Sequence, residues 1–183
     1  TGFDPSWRYF LNVVNGTDLK FGRDIYFTYG PLGYLFYLMK LPGNTIEYWS
    51  GIVIWGIIFL FHLWMLLQLY RLYQKGKIHF WAITASVCCY LAGYYAPTRD
   101  NYLLYLMILA VVLWAKGAKN IVLIPNLLLL LMFFGKFSTF TSGFAFCILF
   151  CIFDVLFRKN WKSIWLFLPG IILMPVCYLV YCP

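Results

Sequence analysis

Six apolar segments, at about 49–73, 79–96, 102–115, 121–135, 143–157 and 163–182, follow one another with only short charged breaks, and this spacing limits the fold more than any single motif does. A helix needs about 20 residues to cross the hydrocarbon core of a bilayer. The first and last segments reach that length; the shorter ones cross only if they tilt or sink among neighbours, and 121–135 is the least certain of them. Inside hydrocarbon every backbone N–H and C=O must bond within its own element, so the segments read as helices. The chain has 63% hydrophobic and 11% charged residues, against about 25% charged in ordinary globular domains. The reading is an all-α integral membrane protein, a polytopic helical bundle of about six spans. A soluble enzyme, a disordered chain and a disulfide-stapled secreted module are excluded.

Charge placement gives the expected topology. Loops 71–78, 116–120 and 158–162 hold eight of the 14 Lys and Arg residues, and cytoplasmic loops collect such residues. The first 48 residues, the 97–101 loop and the 135–143 turn then share the external side. Five of the six acids lie there, so that side is almost neutral. The formal net charge of +8 is thus an orientation signal and gives no reason to expect nucleic acid. Two regions follow: an external loop over 1–48 with short juxtamembrane helices, and a transmembrane bundle over 49–183.

Within the first loop, Trp7, Phe10, Leu11 and Val14 recur at helical spacing, with Arg8, Asn12 and Asn15 on the other face. This predicts a short amphipathic helix at the membrane interface, opened by Asp4 before Pro5 and stopped at Gly16. A second short helix is predicted over 31–40, its aromatics Tyr34, Phe36 and Tyr37 suited to an interfacial belt. Pro169 and Pro175 are expected to kink the last span. The six cysteines form no C-x-x-C pair and read as small packing residues. His62, flanked by Phe61 and Leu63, reads as a packed or hydrogen-bonded helix residue. Asn15-Gly16-Thr17 matches a glycosylation acceptor, a tripeptide that is common by chance.

The ionisable groups at the external boundary are the candidates for chemistry. Asp4, Asp24, Tyr29, Arg99, Asp100 and Lys136 all belong to that side, and several must lie against the membrane because their loops are too short to leave it. A carboxylate at a dry boundary can act as a general base, and Arg or Lys can neutralise a phosphate leaving group. Each also has a plain structural reading: Asp4 as a helix cap, Asp24 as a turn residue, Arg99 with Asp100 as a surface bridge, and Lys136 as a snorkelling boundary residue.

One stretch adds a resemblance. Asp4 with Trp7 and Arg8, followed by Phe21-Gly22-Arg23-Asp24-Ile25-Tyr26-Phe27-Thr28-Tyr29-Gly30-Pro31-Leu32, resembles the large first external loop of the GT-C membrane glycosyltransferases. The likeness is to their polyprenyl-phosphate-sugar-dependent branch, which includes protein mannosyltransferases and the aminoarabinose transferase of lipid A. Asp100 in a short external loop and Gly135-Lys136-Phe137-Ser138 at the outer end of a later span match two further landmarks in order. The family commonly has Lys-Pro-Pro-Leu where this chain has Tyr-Gly-Pro-Leu. Its span before the first loop is absent here, so the chain reads as an N-terminal portion of such a protein.

The resemblance implies an inverting transfer of sugar from a lipid-phosphate-linked donor to an acceptor glycan, lipid or protein on the external face of a membrane, expected to be the bacterial cytoplasmic membrane. Asp4 and Asp100 would then be catalytic, with Asp4 taking the acceptor proton. Arg99 and Lys136 would steady the departing phosphate, and Asp24 and Tyr29 would contact substrate. No cofactor is certain, and a divalent metal beside Asp100 is left open. The expected partners are the lipid-linked donor, membrane lipids and the acceptor. The alternative is a non-catalytic polytopic membrane protein, either a lipid or solute transporter or an assembly subunit.

Overall fold

The computed structural model describes residues 6–14, 17–19, 24–25, 30–95, 99–118 and 121–181. In chain order these form α1 (Ser6–Val13), a first 3₁₀ helix (Gly33–Tyr37), α2 (Thr45–Gln74), α3 (Phe80–Tyr95), α4 (Arg99–Ala115), α5 (Leu123–Gly135), α6 (Phe137–Arg158), a second 3₁₀ helix (Trp161–Leu166) and α7 (Leu168–Tyr181). Each of the six apolar segments is therefore largely helical. Among the described residues there is no strand ladder; Ile25 and Lys136 each occupy an isolated β-bridge.

Three helices are long and apolar enough to cross a membrane: Thr45–Gln74, Phe137–Arg158 and the run Trp161–Leu179. The 30 residues of α2 extend about 45 Å. Its buried residues are Gly51, Trp55, Ile58, His62, Met65, Leu69 and Leu72, alternating steps of four and three along a single seam. The rest of its surface is also apolar and lies open, with Ile46, Val53, Leu60 and Leu67 all more than half exposed. A helix that is hydrophobic all round yet covered on one seam is suited to lipid, because such a surface would be an aggregation hazard in water.

The shortest helix of the bundle proper, α5, occupies its centre. Its 13 residues reach only about 20 Å, and they pack against α4, α6, α7 and both 3₁₀ helices. Leu129 and Met132 are fully buried there, beside Met107 and Ala110 of α4. Hydrocarbon tails are as apolar as leucine, so close approach and polar contacts must hold such a bundle together. Gly143 supplies the approach on α6, where a Cβ would stand 2.6 Å from the terminal methyl of Met107. Asn126 supplies the polar contact. Its side-chain nitrogen donates to the Val122 and Trp165 carbonyls at 2.9 and 3.0 Å, and its oxygen accepts from the Gly170 N–H at 2.7 Å. Pro175 lies inside α7 and leaves the Ile171 carbonyl without its helical donor. The five described cysteines are free thiols; Cys147 and Cys151 are buried packing groups.

Three local expectations are corrected. The second short helix is a 3₁₀ helix over Gly33–Tyr37 rather than a helix over 31–40. In the 135–143 segment, expected as an external turn, the polar stretch from Phe137 onward is the first two turns of α6. It stays helical because its hydroxyls bond within the helix: Thr141 and Ser142 both donate to the Ser138 carbonyl, at 2.9 and 3.0 Å. Asn12, placed on the water face of α1, is instead 3% exposed.

Candidate functional site

The first loop folds back onto the bundle, and Asn12 is its fastener. The Asn12 amide donates to the Tyr37 carbonyl at 2.8 Å and its oxygen accepts from the Met39 N–H at 3.1 Å. Asn44 completes the knot, donating to the Met39 carbonyl at 2.9 Å and accepting from the Leu41 N–H at 2.8 Å. Chain leaving a 3₁₀ helix carries unpaired backbone groups, and these two amides satisfy them without water. Leu11 and Val14 bury the other side of α1.

A second set of bonds joins this loop to the α5–α6 junction. The Gly30 N–H donates to the Gly135 carbonyl at 3.0 Å, and the Leu32 N–H donates to the Phe134 carbonyl at 2.9 Å. The approach is so close that a Cβ on Gly30 would meet the Phe134 carbonyl oxygen at 2.5 Å, and one on Gly135 would collide with the Phe36 ring. Glycine is required at position 30, where the obstacle is backbone, and at position 135 it leaves room for the Phe36 ring. Lys136 follows as a single extended residue between α5 and α6 (φ −141°, ψ 109°), half-buried. From the 3₁₀ helix the link runs on to α2 and α4. The Leu35 carbonyl accepts from the Trp55 indole at 2.6 Å, and the Trp55 ring lies 6.2 Å from that of Tyr102. Tyr102 is one turn inside α4 from Arg99 and Asp100.

Lys136 adjoins the segment 30–32, which Tyr29 directly precedes. Arg99 and Asp100 open α4 and are described by their backbone alone. Asp24 is exposed beside buried Ile25. Asp4 and Tyr29 lie outside the described residues. Lys136, the docked loop and the start of α4 thus occupy one end of the bundle. No group of three His, Cys, Asp or Glu side chains that could hold a metal occurs among the described residues.

A second polar cluster lies deeper. His62, fully buried on α2, shares a hydrogen bond through Nδ1 with the Tyr102 hydroxyl at 2.5 Å and a longer one through Nε2 with Ser86 Oγ at 3.4 Å. Ser86 Oγ in turn lies 2.5 Å from the Tyr105 hydroxyl. The chain Tyr102–His62–Ser86–Tyr105 therefore joins α2, α3 and α4. His62 is hydrogen-bonded, as its sequence setting suggested. The i, i+3 tyrosine pair of α4 was the available signal for its partners, since residues three apart share a helix face.

No family model, no curated protein and no solved structure matches the chain.

Proposed function

We propose that this chain belongs to a membrane glycosyltransferase of the GT-C kind, with six spans and its working face at the end where the first loop docks. The observation that carries the reading is the pair of backbone bonds from Gly30 and Leu32 to Gly135 and Phe134. They hold the segment following Tyr29 against Lys136, two landmarks of the resemblance that lie about 100 residues apart in sequence. A bundle needing only helix contacts has no use for that juxtaposition.

In this reading the docked end faces the outside of a bacterial cytoplasmic membrane. Asp4 takes the proton of an acceptor hydroxyl as its oxygen attacks the anomeric carbon of a lipid-phosphate-linked sugar from the face opposite the phosphate. The bond from that carbon to the phosphate oxygen breaks, and the lipid phosphate leaves with the electron pair. Lys136 and Arg99 neutralise the charge that develops on it, and Asp100 shapes the site. Asp24 and Tyr29 contact substrate. The test is transfer of labelled sugar in membranes bearing the chain, from a panel of undecaprenyl-phosphate-linked hexoses. Asp4→Asn is expected to abolish transfer at unchanged expression; full activity in that variant removes the assignment.

One observation favours a second reading, a solute or lipid transporter. Transporters place polar groups near the bilayer midplane, and the His62 chain joins three helices in the buried interior. His62→Leu separates the two readings, because it would abolish transport and leave sugar transfer at the docked end intact.

A further inference from the structure

At the opposite, basic end of the bundle, the ends of α4, α5 and α6 and the second 3₁₀ helix enclose a cavity of about 590 Å³, within the roughly 300–1,000 Å³ typical of small-ligand sites. Its lining combines two cations, Arg158 and Lys162, with two indoles, Trp114 and Trp165, and also includes Asp154 and Asn160. Arg158 is held in place. Its Nη1 lies 3.5 Å from Oδ1 of Asp154, whose carboxylate is 1% exposed. The other Asp154 oxygen accepts from the Asn160 amide at 2.7 Å. A buried carboxylate needs such partners, and the pairing leaves the remaining donors of the guanidinium fork uncommitted to Asp154. Lys162 is exposed, with no carboxylate within ion-pair distance among the described residues.

The geometry points to this cavity as a binding site for the phosphate of an anionic phospholipid. Tryptophans settle at the level of lipid head groups, and a basic pocket between helices at that level matches a head-group phosphate. Trp165 and Trp161 are more than half exposed beside it, presenting indole surface where acyl chains would begin. Asp154 and Asn160 are positioning residues: they fix Arg158 at the rim. This site is separate from the docked loop and does not depend on sugar transfer.

Native mass spectrometry of the detergent-solubilised chain, titrated with phosphatidylglycerol and with phosphatidylcholine of the same acyl chains, tests it. Phosphatidylglycerol is expected to bind more tightly. Arg158→Gln with Lys162→Gln should lower its affinity about 25-fold, each cation near an anionic head group contributing roughly fivefold. Lys162→Gln alone leaves the Asp154 contacts intact and should lose about fivefold. Arg71→Gln with Lys75→Gln, which removes equal charge from exposed residues of the basic end that do not line the cavity, should lose nothing. The proposal is overturned if phosphatidylcholine binds as well, if the control pair loses as much as the cavity pair, or if Lys162→Gln keeps full affinity. Displacement of the lipid by millimolar inorganic phosphate would assign the cavity to a soluble phosphate and overturn the lipid proposal as well.

Discussion

His62 Nδ1 stands 2.5 Å from the Tyr102 hydroxyl, and both residues are buried, so α2 and α4 are joined in the bundle interior by a bond with no water to replace it. Tyr102 also sits at the edge of the docked end, its ring 6.2 Å from Trp55, whose indole holds the Leu35 carbonyl. The deep polar chain and the loop contact are therefore two ends of one connected structure.

A double-mutant cycle measures the first of these ties. His62→Leu takes a hydrogen-bond partner from the Tyr102 hydroxyl and the longer of two from Ser86, and should destabilise the fold by about 1–3 kcal/mol, and Tyr102→Phe should cost less. The coupling between them is expected at about 0.6–1.7 kcal/mol, the range found for hydrogen bonds inside membrane bundles. Unfolding in detergent, followed by tryptophan fluorescence, reads it out. Strict additivity would show that the bond contributes nothing.

Three glycines separate close approach from open space. Gly30→Ala drives a methyl into the Phe134 carbonyl, a backbone atom that cannot step aside, and should release the first loop. Gly135→Ala meets the Phe36 ring, which can turn, and should do less. Gly56→Ala on α2 meets nothing within 4 Å and should be neutral or stabilising, by up to about 1 kcal/mol. Limited proteolysis within residues 15–29 is the measurement. Equal cleavage in the Gly30 and Gly56 variants would mean that the loop is not held at Gly30.

Residues whose surroundings are set by their own helix were legible in the sequence, and residues whose surroundings are set by a distant segment were not. The apolar segments announce α2 to α7 because hydrocarbon leaves the backbone no other option. Asn12 defeats the same logic. Its helix face was polar, but the partners waiting there were the Tyr37 and Met39 backbone groups rather than water. The Ser138–Ser142 stretch reads as a turn by polarity, yet its hydroxyls can bond inside the helix. At the candidate site the order of landmarks was visible, whereas the contact of Gly30 with Gly135 depends on how the first loop returns, which no local pattern encodes. Asp154 gave little warning either, because its partner Asn160 lies beyond the helix end that it helps to close.

Asn126 should be among the most sensitive positions in the bundle. It is the only side chain of α5 seen bonding both the second 3₁₀ helix and α7 among the described residues, through Trp165 and Gly170. Asn126→Leu preserves bulk but leaves the Gly170 N–H unsatisfied in a buried place, for a loss of about 1–3 kcal/mol. Asn126→Asp keeps the acceptor for Gly170 but removes the donor to Trp165, and adds a charge in the interior. Both variants should lower the thermal midpoint in detergent, the aspartate the more. A midpoint unchanged in Asn126→Leu would show that helix contacts alone hold α7.

The orientation assigned from loop charge can be checked without any assay of function. A cysteine introduced at Lys20 should react with an impermeant thiol reagent added to intact cells, and one at Lys119 should react only after the membrane is opened. Exposed native Cys88 is first replaced by serine, so that the reading is unambiguous. Basic residues are retained on the cytoplasmic side during insertion, and 71–78, 116–120 and 158–162 carry eight of them. The reverse pattern would turn the docked end inward, and a donor presented outside could not reach Lys136.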